Sequence, residues 1–204
     1  GITSLNFDLM YGLPHQSQDD LHDSLQRTVA IAPDRIALFG YAHVPRLIAR
    51  QRIIDGNALP DPEERFAMAQ LGHAYLTEQG YRSIGFDHFA KPSDPLAQAS
   101  ATGKLRRNFQ GFTDDQSLVL IGLGSSAVSS FPKLFAQNEK NSGRYRMQAS
   151  QSRLTTAVGI ARTDDDRVRG EIIEALLCRG SATIDPVLDE PVLNALRPFI
   201  ELEL

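Results

Sequence analysis

A strand, a helix and a second strand are written into the first 41 residues, and this order constrains the fold more than any other feature of the chain. Over residues 2–10, Leu5, Phe7 and Leu9 alternate with Asn6 and Asp8, the period-two pattern of a half-buried strand. Tyr11-Gly12-Leu13-Pro14 then breaks the run. Ser17, with Asp20 three residues later, has the spacing of a helix cap. Leu21, Leu25, Thr28, Val29 and Ala32 follow at helical spacing until Pro33 stops them. Arg35–Tyr41 is again a short apolar strand. A strand, helix and strand within about 40 residues predict a parallel crossover, and hence an α/β fold.

The same reading continues downstream. Asp61 as cap, Pro62 at the first helical position, Glu63 and Glu64 in the first turn and Gly80 at the end predict a helix over 61–79. Its apolar face is expected to hold Phe66, Ala69, Leu71, Ala74, Tyr75 and Leu76. Residues 81–86 read as a strand. Residues 87–116 read as irregular, with one or two helical turns after Ser93, and an irregular stretch of that length is usually functional or mobile. Ser117–Leu123 reads as a buried strand leading into the small residues Gly124–Ser130, which permit close backbone approach. Thr163 with Asp164–Asp166 opens a helix that Arg179-Gly180 closes, and a further helix is expected from about 191 onward. These elements predict two domains: 1–162, and a small helical domain at 163–204 that reads as truncated.

Charge and cysteine content narrow the chemistry. With 21 Lys and Arg against 25 Asp and Glu, the net charge is −4, which gives no global reason to bind nucleic acid. No stretch approaches the roughly 20 apolar residues of a membrane helix. The single cysteine, Cys178, can form no internal disulfide and cannot by itself hold a metal cluster. It reads as an inert core thiol in a reducing, cytoplasmic protein. The chain opens on Gly1, not Met, and reads as a piece of a longer protein.

Several polar residues stand just past predicted strands, the edge where parallel α/β folds collect ligands. Asp8 suits either a ribose hydroxyl or a cationic group, and equally a loop-capping role. Ala42 leaves space for a planar ring, and His43 beside it fits a structural role as well as a binding one. Arg46, Arg50 and Arg52 suit carboxylate recognition or a solvated basic face. Asp87-His88 is expected to end the third strand at the same edge. Arg106-Arg107-Asn108-Phe109-Gln110-Gly111-Phe112 offers guanidinium donors, amides and aromatic faces suited to a planar polycarboxylate. Asp8, His43, Asp87 and His88 lack the usual metal-ligand spacings, so no metal site is expected.

Four of these segments, in this order, resemble one family. Asp8-Leu9-Met10-Tyr11-Gly12-Leu13-Pro14-His15-Gln16 is similar to a stretch shared by the coproporphyrinogen oxidase–like radical S-adenosylmethionine proteins and the related heme chaperones. Tyr41-Ala42-His43-Val44-Pro45 followed by Gln51-Arg52, then Gly85-Phe86-Asp87-His88-Phe89-Ala90, then Arg107-Asn108-Phe109-Gln110-Gly111-Phe112, resemble the oxygen-independent coproporphyrinogen III oxidases themselves.

The resemblance implies the later strands of a partial radical-enzyme (β/α) barrel, followed by a helical, winged-helix-like domain. It implies a [4Fe–4S] cluster held by a cysteine motif that this chain lacks, two S-adenosylmethionine molecules, an electron donor, and a monomer when complete. The implied reaction is oxidative decarboxylation of two propionates of coproporphyrinogen III to vinyl groups, giving protoporphyrinogen IX in heme biosynthesis. The chain alone would then be inactive. Position by position, Asp8, Ala42 and Val128 match S-adenosylmethionine contacts. His43, Arg52, Asp87, His88, Arg107, Asn108 and Gln110 are the candidates for substrate binding, and no catalytic residue is assigned. The sequence departs from the family pattern at Gly40 (Asn expected), Phe112 (Tyr), Asp114 (Thr) and Val128 (Ile). A heme-binding chaperone of the same superfamily is the alternative, with Asp87-His88-Phe89 and Asn108–Gly111 against it.

Overall fold

A computed structural model describes residues 1–183 together with Glu190, Leu193, Asn194 and Arg197. The chain divides into two compact units, Gly1–Leu105 and Arg106–Leu204. The sequence-based division after 162 therefore falls inside the second unit.

The first unit opens as the sequence predicts. Strand β1 (Asn6–Tyr11) and strand β2 (Arg35–Gly40) pair in parallel, joined by helix α1 (Gln18–Ile31). Ser17 and Asp20 form a reciprocal capping box at the start of α1, so two of the helix's unpaired N-terminal donors find side-chain acceptors. Helix α2 (Pro62–Glu78) opens on a second such box between Asp61 and Glu64.

The face that α2 buries overlaps the expected one at Leu71, Tyr75 and Leu76 and differs at its other end. Met68, Gly72 and Leu76 are buried, whereas Phe66 is 65% exposed and Ala74 is exposed. Gly72 decides the orientation. A Cβ there would collide with the Leu38 side chain of β2, so the side-chain-free position is the one that lies against the sheet. The resulting core gathers Leu21 and Leu25 of α1, Ile36 and Leu38 of β2, Met68 and Leu76 of α2, with Tyr81 and Phe89. At about 1.5–3 kcal/mol per fully buried large apolar side chain, this cluster is the main source of the unit's stability.

The third strand is corrected in length and company. Strand β3 (Arg82–Ile84) is followed by strand β4 (His88–Ala90), and the sheet order is β1-β2-β4-β3. Strand β4 runs antiparallel to both its neighbours, so Asp87-His88 begins a strand where the sequence reading had them end one. The three-residue turn between β3 and β4 needs Gly85 at φ +62°, a conformation costly for other residues. Helix α3 (Pro95–Ala101) fulfils the turns expected after Ser93. Asp94 caps it through the Leu96 amide and also takes the Arg35 guanidinium at 2.7 Å.

In the second unit, strands β5 (Arg106–Asn108) and β6 (Gly111–Thr113) form a hairpin inside the stretch read as irregular. The expected strand over 117–123 does not form. Only Leu120 makes a bridge, to Ser130, while Leu118, Ile121 and Leu123 are 74%, 68% and 87% exposed. An apolar run becomes a strand only where a neighbour accepts its ladder, and only Ser130 does so. Strands β7 (Val128–Phe131), β8 (Leu134–Asn138) and β9 (Thr156–Ala161) form an antiparallel sheet, with helix α4 (Ser142–Ser150) between β8 and β9. The sequence reading anticipates none of these four elements.

Helix α5 (Asp164–Arg179) appears as predicted, from its Thr163–Asp166 capping box to the left-handed Gly180. It is tied to β5 by Arg106 Nε–Glu174 Oε1 at 2.7 Å. Cys178 is buried, and desolvation pushes its thiol above the ordinary value. The helix expected from about 191 lies outside the described residues apart from Leu193, Asn194 and Arg197. Among the described residues no helix is long and apolar enough to cross a membrane.

Two stability predictions follow from the charged contacts. The Asp94 side chain is 2% exposed and bonded on both oxygens. Asp94→Ala should strand Arg35 and uncap α3, lowering the urea unfolding free energy by about 3 kcal/mol, at the low end for buried pairs because Arg35 is a third exposed. Hydrogen bonds hold Asp20 (from Ser17), Asp34 (from the Leu5 amide) and Asp166 (from Thr163) below the usual carboxylate range. A depressed folded-state pKa stabilises above the unfolded value and is lost as protons bind. Stability should therefore hold down to about pH 4 and decline below it, and Asp20→Asn or Asp166→Asn should flatten that decline in urea midpoints taken across the range.

Candidate functional site

The pleat of the first sheet sorts its residues between two faces. Phe7, Leu9 and Tyr11 of β1 alternate with the exposed Asn6, Asp8 and Met10. Leu9 and Tyr11 pack on the core made with α1 and α2, so Asp8 lies on the opposite face. Register carries that face across the sheet: Asp8 pairs with Ala37, and Ala37 pairs with His88. Asp8 and His88 thus share one row two strands apart, about 10 Å at ordinary strand spacing. Asn6 donates to Asp8 Oδ1 at 2.8 Å, leaving the second carboxylate oxygen toward solvent. Asp87 Oδ1 lies 2.6 Å from His88 Nδ1, and Phe39 meets the imidazole edge-on. The antiparallel β4 therefore brings Asp87-His88 to the same side of the sheet as Asp8 by a route the sequence reading did not foresee.

Beyond β2, the Tyr41–Pro45 segment is shaped by one amide side chain. Gln51 donates Nε2–H to the Ala42 carbonyl at 2.8 Å and accepts the Val44 amide on Oε1 at 2.6 Å. It thereby fixes the backbone on both sides of His43. The His43 Nδ1 lies 3.3 Å from the Tyr41 hydroxyl, and Arg52 Nε donates to the Pro45 carbonyl at 3.3 Å. Arg52 thus serves the loop's geometry. Gly40 sits where a Cβ would meet the Tyr11 hydroxyl at 3.0 Å and Arg65 Nη2 at 3.3 Å. In this chain Tyr11 and Arg65 take up the space that a larger residue at position 40 would fill. Arg65 reads in the sequence as one more charge on α2, and nothing in its spacing marks it as reaching the strand edge.

The remaining candidates belong to the second unit. Asn108 Oδ1 accepts the Gln110 amide at 2.8 Å, closing the β5–β6 turn and placing Phe109 and Gln110 at its tip. Arg107 stacks over Phe112 at 4.5 Å. Phe109 meets Phe135 edge-on at 5.1 Å, and Arg162 lies over the other ring at 4.6 Å. Arg107, Asn108, Phe109, Phe135 and Arg162 border a cavity of about 530 Å³ that also reaches Arg167 and Glu174, a volume within the small-molecule range. Its lining mixes arginines and aromatic rings with the carboxylates Asp115, Glu171 and Glu174, and Arg106 is paired with Glu174. Phe135 and Arg162 carry no sequence signal, because β8 and β9 are themselves not anticipated. Val128 opens β7 on the same face as Ser130 and, across the pair, Phe135 and Gln137.

A polypeptide loop precedes Val128, and side chains hold it at Gly122, Gly124 and Ser126. Asn138 Nδ2 donates to the carbonyls of Gly122 and Gly124, both at 3.0 Å. The Gly122 amide donates to Ser129 Oγ and the Gly124 amide to the Tyr145 hydroxyl, each at 3.0 Å. Gln137 Nε2 donates to the Ser126 carbonyl at 2.9 Å. A Cβ on Gly122 would come within 2.7 Å of the Val128 carbonyl oxygen, so glycine is required there.

Two structural tests bear on the groups that radical chemistry would need. Among the described residues no cluster of His, Cys, Asp or Glu could hold a metal, and the one thiol is buried. These residues do not fit an iron–sulfur cluster.

Known proteins place the fold first and its relatives next. The chain aligns over 98% of its length, with a TM-score of 0.85 and 37% identity, to 49% of the solved coproporphyrinogen III oxidase of Escherichia coli, described as a radical SAM enzyme. Its curated homologues are oxygen-independent coproporphyrinogen III oxidases. That of Paracoccus denitrificans is 47% identical over 178 residues, covering 87% of this chain and 40% of the relative. That of Bradyrhizobium diazoefficiens is 47% identical over 187 residues, covering 92% and 42%. The Escherichia coli protein is 41% identical over 187 residues, covering 92% and 41%. The chain thus spans about two fifths of the length of these relatives. No protein-family model matches it.

The Gln51 brace yields a direct test. Gln51→Ala should remove both bonds to the loop, and the Val44 amide should exchange with solvent about tenfold faster, as expected for the loss of a bond worth about 1.5 kcal/mol. Amides of α1 should be unaffected, as measured by hydrogen exchange.

Proposed function

We propose that this chain is part of an oxygen-independent coproporphyrinogen III oxidase, converting two propionates of coproporphyrinogen III to vinyl groups to give protoporphyrinogen IX. The observation that carries this reading is the similarity to such oxidases over 87–98% of the chain, together with Asp8 and His88 on one face of the sheet, either side of the buried Ala37. In this reading, S-adenosylmethionine with a [4Fe–4S] cluster supplies the radical hydrogen abstraction, and the cluster's ligands lie outside this chain. An electron donor for the cluster is a required partner. We read residues 1–162 as the later part of the barrel and 163–204 as a helical, winged-helix-like appendage. We place the complete protein in the cytoplasm as a monomer.

The chain's own residues bind and orient. Asp8, held by Asn6, accepts hydrogen bonds from a ribose or receives an amine. Ala42 presents backbone braced by Gln51, and Val128 packs an apolar surface on adenine. Arg107, Gln110, His43 and the Asp87–His88 pair supply the donors that propionate carboxylates need, with Arg52 and Asn108 shaping the loops between them.

Two assays test this reading. The chain alone, after attempted cluster reconstitution, should form no deoxyadenosine, and product formation would refute the assignment of the radical centre to sequence outside it. In the complete protein, Asp8→Ala should lower kcat/KM for S-adenosylmethionine by about tenfold to a hundredfold, the range for a hydrogen bond to a charged group. Tight heme binding by the complete protein with no decarboxylation would instead identify a heme chaperone.

A further inference from the structure

The loop Gly122–Ala127 is held in an unusual way. It lies in no helix or ladder apart from the single Leu120–Ser130 bridge at its root, yet the backbone groups of Gly122, Gly124, Ser126 and Ala127 are bonded. Asn138 sits at the centre of this arrangement. It is buried at 9% exposure, its own amide donates to the Ala127 carbonyl at 2.9 Å, and its side-chain amide spans the Gly122 and Gly124 carbonyls. The ladder between β8 and β9 slips at Gln137/Asn138. Bulges of this kind re-aim a side chain, and here the slip coincides with the residue that turns to the loop.

The loop also carries strain that something must hold. Ser126 adopts φ +60°, a left-handed conformation costly for a residue other than glycine. It is pinned from both sides, its amide donating to the Glu139 carbonyl at 3.0 Å and its carbonyl accepting Gln137 Nε2. Ser129, buried at 9% exposure, takes the Gly122 amide from the β7 side. Three consecutive residues of β8 and its exit, Gln137, Asn138 and Glu139, therefore grip the loop that delivers the chain to Val128.

We infer that Asn138 is a positioning residue: its side-chain amide fixes the Gly122–Ala127 loop, and through it sets Val128 against the adenosyl group of S-adenosylmethionine. The role rests on the proposed S-adenosylmethionine contact of Val128. Asn138 does not touch the ligand in this assignment. Only a side chain with a donor reaching both carbonyls can fill the position. A carboxylate of the same shape would turn oxygen toward oxygen and open the loop.

The test uses Asn138→Asp, which preserves volume, and Ser129→Ala, which releases the loop from the opposite side. By hydrogen exchange, the Gly122 and Gly124 amides should exchange at least about tenfold faster in Asn138→Asp, while amides of α1 stay as in the parent protein. In the complete, cluster-reconstituted protein, the dissociation constant for S-adenosylmethionine should rise about tenfold while KM for coproporphyrinogen stays within about twofold. Ser129→Ala should move both readouts in the same direction. Unchanged exchange of the loop amides would overturn the clamp. Loosened amides with unchanged S-adenosylmethionine affinity would overturn its role at the ligand. A uniform fall of all kinetic constants with the melting temperature would reduce Asn138 to a structural residue. If the parent protein binds no S-adenosylmethionine, the cofactor reading and this role fall together, and the exchange measurement still reports on the clamp itself.

Discussion

Leu38 and Gly72 cannot both carry side chains where they meet, and the first unit is organised around that fact. With Leu38 occupying the space, α2 lies close over β2 and its buried stripe becomes Met68, Gly72 and Leu76. Ile36 and Leu38 are then enclosed with α1 on the same side. All helix packing by α1 and α2 goes to one face of β1 and β2. The opposite face is left to Asp8, Phe39 and His88, and the candidate binding row exists because the apolar faces are satisfied elsewhere.

The second unit solves a different problem. It contains loops and turns that must be held without a ladder. Carboxamide side chains do this in both units. Gln51 braces Ala42 and Val44, Asn108 closes the β5–β6 turn, and Asn138 with Gln137 grips the Gly122–Ala127 loop. Each carboxamide offers donors and an acceptor on a short neutral stem, so it replaces missing backbone partners without introducing a charge. Charged groups do other work: Asp94 joins the start of α3 to Arg35 of β2, and Glu174, within α5, holds Arg106 at the start of β5.

Legibility in the sequence follows the range of the interactions involved. Helix starts depend on a few neighbouring residues and are read correctly at Ser17, Asp61 and Thr163. The parallel pairing of β1 and β2 is read because the crossover helix enforces it. Strand β4 escapes notice because three residues carry no periodicity, and its place between β2 and β3 rests on pairing partners far away in sequence. The run 117–123 misleads for the converse reason, since apolar composition says nothing about whether a ladder partner is present. Of the candidate residues, Asp87 and His88 reach the Asp8 face by an antiparallel strand, whereas the partners of Asn138 become visible only once the β8–β9 register slips.

Local chemistry, then, was settled by the sequence itself. It determined the helix starts and the βαβ opening, because each depends on residues close together in the chain. The tertiary structure alone decided that Met68 and Gly72 belong to the buried face of α2, that β4 inserts between β2 and β3, that the apolar run 117–123 stays out of the sheets, and that Asn138 meets two glycine carbonyls. Those outcomes depend on steric fit and hydrogen-bond register between segments distant in the chain, and neither quantity is encoded in any single stretch of it.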